Sequence, residues 1–220
     1  KKVQDDIAAA LETRFTYLTR GKRGKILNVN NSTDYSKLFS RPAVINVSRI
    51  ANPKDKALIM SLLMLAIYEY RISAYTYDAE YRKLAQKNKL LHLTVIEEAH
   101  NLLMRPSVDT GNTGNPQQVV ADLFSNIISE IRGYGQGIVM VDQIPTRLIQ
   151  DVIKNTNYKI VHRLTAPDDC AVMATGLALR EDQQSIIPAL GIGEAIVCGD
   201  MDDAAAWVKM NDLNSKEAAI

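Results

Sequence analysis

At 220 residues the chain suits one compact domain with enough volume for a hydrophobic core. Its composition is ordinary for a soluble globular protein, at 46% hydrophobic and 23% charged, and 26 Lys plus Arg against 25 Asp plus Glu leave a net charge of +1. That balance neither marks nor excludes nucleic-acid binding, since a basic pore fits inside a neutral total; two distant cysteines, Cys170 and Cys198, argue against a disulfide scaffold or a zinc site.

The chain opens Lys1-Lys2-Val3, without methionine or a signal-peptide pattern, which reads as a fragment of a longer, cytoplasmic protein. Over residues 3–20, Ile7, Leu11, Phe15 and Leu18 recur at helical spacing and predict an amphipathic helix. Gly21-Lys22-Arg23-Gly24 breaks it, Lys25 to Val29 is a short strand candidate, and Asn28 to Asp34 is turn material. Ala43 to Val47 reads as a core strand. Pro53 then opens a long helix to about Ile72. Its apolar stretch Ala57 to Tyr68 falls well short of the ~20 residues of a membrane span, so it reads as a buried helix.

Leu91 to Ile96 predicts the next strand, which runs into Glu97-Glu98-Ala99-His100 and a short helix ending near Pro106. Residues 107–118 form a polar loop, Val119 to Arg132 a helix, Gly137 to Val141 a strand and Tyr158 to Arg163 another. Helices follow over Asp168 to Leu177 and Glu181 to Leu190, and Glu194 to Cys198 with Ala205 to Lys209 closes the chain as a hairpin. Short apolar strands alternating with helices predict an α/β fold, a mostly parallel sheet flanked by helices with an antiparallel C-terminal hairpin.

The strongest chemical signal is Leu93-Thr94-Val95-Ile96-Glu97-Glu98. A parallel strand delivers acids at its carboxyl end, where open α/β sheets bind ligands. In P-loop ATPases the first acid of such a pair orders the water shell of Mg²⁺ and the second polarises the attacking water. The same residues also fit a strand followed by a helix whose first turn is acidic. Ile138 to Val141 likewise runs into Asp142-Gln143-Ile144-Pro145, a sensor for a γ-phosphate or a plain turn. Arg132 and Arg163, each at the end of an element, are either solvated or available to a neighbouring subunit's nucleotide.

A Walker A loop, Gly-x-x-x-x-Gly-Lys-Ser/Thr, does not occur: Gly24-Lys25 is followed by Ile26 and Gly21-Lys22 by Arg23.

In order, these segments resemble the HerA–FtsK superfamily of ring ATPases, and within it the HerA-like DNA translocases. The resemblance runs from about Gly24 onward. It rests on Pro42 to Ser48, on Leu93 to Asn101 as an acid-Glu-Ala-His-Asn Walker B segment, on Ile131 to Gly135 with Gly137 to Pro145, on Asn155 to Leu164, and on Leu190 to Val197 with its Gly-Glu-Ala. It implies that residues 1–220 are the later portion of one RecA-like ATPase domain.

It further implies that Glu97 is the Mg²⁺-associated acid, where relatives usually carry aspartate, and Glu98 the catalytic base. Gln143 takes the place of the γ-phosphate sensor and Arg132 that of an arginine acting across the subunit interface, with Arg163 a second candidate. Gly133 departs from a common lysine, and Asp142 from a common threonine or serine. His100 and Asn101 read as helix-packing residues. The implied protein is an ATP- and Mg²⁺-dependent homo-oligomer, a hexameric ring that translocates or unwinds double-stranded DNA with an effector nuclease or defence enzyme, in DNA repair or antiphage defence. Arg105, at the entrance of the 107–118 loop, is its candidate DNA contact. Two other readings stand beside it: a conjugation or type IV secretion ATPase, and a non-catalytic assembly fragment without a P-loop.

Overall fold

The computed structural model describes residues 2–30, 33–87, 89–103 and 116–211. They fall into two compact units, Lys1–Tyr70 and Arg71–Ile220.

The first unit is helical. Helix α1 (Lys2–Thr19) ends at Gly21, whose φ of +64° closes the helix in the left-handed region where glycine carries no steric cost. The expected strand from Lys25 is instead helix α2 (Gly21–Leu27). Gly24 explains the difference: a Cβ there would stand 2.1 Å from the Thr19 carbonyl oxygen, so the glycine lets α2 fold back against the end of α1. The apolar stripe of α1 faces outward, with Ile7, Leu11 and Phe15 all exposed. Helix α3 (Tyr35–Phe39) is capped by Asp34, which accepts the Lys37 N–H at 3.2 Å, and buries Phe39 between the Tyr35 and Tyr70 rings.

Ala43 to Val47 is not a strand; Val44 is 96% exposed. A β-branched run becomes a strand only when a neighbour takes its backbone hydrogen bonds, and no described strand does so here. Helix α4 (Pro53–Tyr77) follows, and the division between the units lies within it. It is longer than the expected helix, and of its apolar stretch only Met64 and Ile67 are buried, against the expectation of a buried helix. By length and composition it is apolar enough to cross a membrane, a property shared by core helices of soluble proteins. Asp55, near its start, pairs with Arg23 and accepts the Tyr17 hydroxyl at 3.0 Å, while the Arg23 guanidinium lies 3.6 Å over the Tyr17 ring.

The second unit carries the sheets. Helix α5 (Ala79–Ala85), capped by Asp78, precedes β1 (His92–Glu97). Helix α6 (Pro116–Glu130) takes up the last three residues of the expected 107–118 loop; the rest of that loop, and Arg105, lie outside the described residues. A single 3₁₀ turn leads to β2 (Gln136–Val141), which pairs with β1 in parallel, from His92↔Gln136 to Glu97↔Val141. Helix α7 (Gln150–Asn155), β3 (Tyr158–Val161), α8 (Pro167–Gly176), α9 (Ile186–Ala189), β4 (Glu194–Gly199) and β5 (Ala206–Lys209) complete the unit. The expected helix over Glu181 to Leu190 is broken into a 3₁₀ turn and α9, with Pro188 inside the latter.

The C-terminal hairpin is antiparallel as expected, and β3 joins it antiparallel too, so parallel pairing among the described strands is confined to β1 and β2. Val161, Ala174, Leu177, Ile187, Leu190 and Ile196 form the core beneath the three-stranded sheet. Beneath the parallel pair, the buried Gln136 takes the Arg71 Nε–H at 2.9 Å and donates to Thr94 Oγ1 at 3.1 Å and the Gly137 carbonyl at 2.8 Å. This polar latch ties the C-terminal part of α4 to both strands.

Candidate functional site

Because β1 and β2 are parallel and Glu97 lies opposite Val141, both strands release their chains at one edge. There the sequence places Glu98 after β1 and Asp142-Gln143 after β2. Glu98 leaves the strand with φ 52° and ψ 50°, a left-handed conformation that costs a non-glycine residue about 1–2 kcal/mol. Asn101 supports it by directing its backbone N–H (2.9 Å) and its side-chain amide (3.0 Å) to the Glu98 carbonyl. Asp142, with its side chain only 5% exposed, accepts the His100 N–H at 2.7 Å and the Ile144 N–H at 2.9 Å. The two strand-end turns are thereby clamped to one another.

The side chains then converge. His100 Nδ1 lies 2.9 and 3.2 Å from the Asp142 carboxylate oxygens, which selects the tautomer protonated at Nδ1. The same nitrogen lies 3.5 Å from Glu98 Oε2, while Gln143 Nε2 makes a long contact of 3.4 Å with Glu98 Oε1. Each Glu98 oxygen therefore faces one nitrogen, and the carboxylate stays half exposed. Glu97 is also exposed, so two carboxylates stand at this edge. Such an oxygen-only donor set suits a hard divalent cation completed by phosphates and water, and no group of three or more metal-ligating side chains occurs among the described residues.

Deeper contacts fix the loops that carry these residues. The Ile149 N–H donates to the Leu103 carbonyl at 3.0 Å, and the Thr146 N–H to the buried Asp169 on α8 at 3.0 Å. The loop after β2 is thus held both to the loop after β1 and to α8.

Of the residues singled out in the sequence, Glu98 and Gln143 meet and Glu97 adjoins them. Arg132 does not join them. It lies in the 3₁₀ turn before β2, at the opposite end of a six-residue strand roughly 20 Å long, and donates to Asn157 Oδ1 at 3.3 Å. Arg163 follows β3 in the other sheet and is exposed. The His100–Asp142 pair is a feature that the sequence does not announce, where His100 reads as packing and Asp142 as a turn former. The signal for it is a histidine and an acid in the turns after two adjacent strands.

The α/β fold that carries these strand-end residues is RecA-like. The structure overlays VirB4 of Thermoanaerobacter pseudethanolicus with a TM-score of 0.58 at 14% identity, covering 95% of this chain and 51% of that one. It overlays the genome packaging NTPase of Sulfolobus turreted icosahedral virus 2, in a complex with AMP, with a TM-score of 0.51 at 14% identity, covering 83% and 74%.

Within that fold class the sequence is similar to HerA helicases. It is 31% identical over 147 residues to a probable DNA double-strand break repair helicase HerA of Methanocaldococcus jannaschii, covering 64% of this chain and 28% of the relative. It is 27% identical over 191 residues to the DNA double-strand break repair helicase HerA of Pyrococcus furiosus, covering 80% and 34%. The chain thus spans about a third or less of the length of the curated relatives it matches. No family model matches it.

Proposed function

We propose that the full-length protein is an ATP-driven motor that translocates or unwinds double-stranded DNA, and that this chain supplies the water-activating half of its nucleotide site. The observation that carries the reading is the meeting of Glu98 and Gln143 at the carboxyl edge of β1 and β2. Similarity to HerA helicases supports DNA as the track, and the nucleotide complexes of the viral packaging NTPase, with AMP and AMPPCP, support ATP as the ligand of this fold.

In this reading Glu98 accepts a proton from a water as its oxygen attacks the γ-phosphorus, and the bond to the β,γ-bridging oxygen breaks to leave ADP and phosphate. Glu97 would hold Mg²⁺ through its water shell, where the metal would supply charge neutralisation for the phosphates. Gln143 senses the γ-phosphate beside Glu98.

Arg132, at the far end of β2, serves the nucleotide of a neighbouring subunit rather than its own, which calls for a homo-oligomer, a hexameric ring in our reading. Arg163 is the alternative arginine. Arg105 remains the proposed DNA contact, and an effector nuclease or defence enzyme the proposed partner, in repair or antiphage defence. The test is ATP turnover by the full-length protein with and without duplex DNA. Stimulation by DNA supports the motor; turnover indifferent to DNA contradicts it, and no nucleotide binding at all restores the assembly-fragment reading.

A further inference from the structure

We infer that His100 and Asp142 are positioning residues that set the Glu98 carboxylate for attack, a role that rests on the reading of Glu98 as the base. The Asp142 side chain is buried, and its carboxylate accepts the backbone N–H of His100, the His100 ring and the Ile144 N–H at 2.7, 2.9 and 2.9 Å. A short side chain at this depth fixes the ring in rotation as well as in place. The ring then stands 3.5 Å from Glu98 Oε2, while Gln143 faces the other oxygen, Oε1, at 3.4 Å. Glu98 is thus flanked by a nitrogen at each oxygen, one on each strand-end turn.

The backbone gives a second, independent reason. Glu98 occupies the left-handed region at φ 52°, which a non-glycine residue holds only when its surroundings enforce it. The enforcement lies two and three residues on, in the His100 N–H bound to Asp142 and the Asn101 donors bound to the Glu98 carbonyl. Release of Asp142 frees both the side-chain and the backbone constraint. A base displaced by about an ångström loses on the order of 100-fold in rate while substrate binding, made elsewhere, is unchanged.

The nitrogen that matters is Nδ1, which asparagine reproduces and glutamine does not. The experiment compares His100→Asn, His100→Gln, Asp142→Ala and Glu98→Gln in the full-length protein, measuring kcat, KM for ATP and affinity for a non-hydrolysable ATP analogue. Expected are a kcat lowered about 10- to 100-fold by His100→Gln and Asp142→Ala, with analogue affinity within about twofold of wild type, and a kcat largely restored in His100→Asn. Loss of analogue affinity in step with kcat would make the pair a structural clamp only and overturn the proposal. Should Glu98→Gln abolish turnover while His100→Gln keeps it, positioning fails and the base stands. Should Glu98→Gln keep full turnover, the base assignment falls, and this role with it.

Discussion

The Asp142 carboxylate binds His100 twice, at the backbone N–H (2.7 Å) and at the ring Nδ1 (2.9 Å), across 42 residues of sequence. The contact exists because two parallel strands in register end together, and it joins the turn bearing Glu98 to the turn bearing Gln143. Two residues of the candidate chemistry are thereby held as one rigid edge. The consequences reach beyond that edge.

Arg132 is exposed, and its guanidinium donates to Asn157 over a long 3.3 Å. Arg132→Ala should therefore leave stability within about 0.5 kcal/mol of wild type, since exposed substitutions rarely cost more. Its turnover should fall by about 10³-fold if the guanidinium completes a neighbour's site. Mixing Arg132→Ala with Glu98→Gln subunits rebuilds intact interfaces, and recovered turnover in the mixture, against none in either alone, checks the trans assignment.

Gly135 joins the 3₁₀ turn to β2 at φ +77°, and a Cβ there would lie 2.9 Å from Leu91 Cδ1. Its carbonyl also accepts the Leu91 N–H at 2.9 Å. Gly135→Ala should destabilise by about 1–3 kcal/mol. Gly133, two residues earlier, has open space where a Cβ would stand and no positive φ, so Gly133→Ala is the control that should leave the melting temperature unchanged.

Much of this is legible in the sequence. Continuous apolar runs bounded by acids or glycines mark β1, β2 and β4, the pattern left by strands meant to be covered on both faces. The Gly-Glu-Ala run is a self-capped turn: Gly193 has φ +74° and Glu194 Oε2 accepts the Gly191 N–H at 2.8 Å. Ala43 to Val47 misleads because strand formation depends on a partner, which local composition does not encode. The left-handed Glu98 is invisible, since no glycine or asparagine announces it, and the His100–Asp142 pair depends on register between distant segments.

Burial, and secondarily the Arg71 guanidinium, holds the His92 imidazole below its usual pKa. Its Nδ1 is buried without a hydrogen-bond partner among the described residues. The unfolded chain therefore binds a proton more readily than the folded one. Stability should be fully present above about pH 6.5 and decline as pH falls below it, where the unfolded imidazole takes up its proton. His92→Gln should flatten that decline in thermal melts across about pH 5 to 7; an unaltered slope would assign it to other groups.

Ile187 is fully buried in the core beneath the three-stranded sheet, beside Leu177, Leu190 and Ile196. Ile187→Ala should cost about 2–5 kcal/mol through lost burial and the cavity left behind. Denaturant unfolding checks it, and a loss below about 1 kcal/mol would mean that this core is loosely packed.

The most direct measurement is ATP hydrolysis by the full-length protein and its Glu98→Gln variant in the presence of duplex DNA, with ATP binding measured on both. The expected result is binding retained in the variant and turnover abolished, because glutamine keeps the side chain's size and its contact with Gln143 but takes up no proton. Turnover that survives the substitution would contradict the assignment of Glu98 and leave the strand-end cluster as part of a RecA-like scaffold.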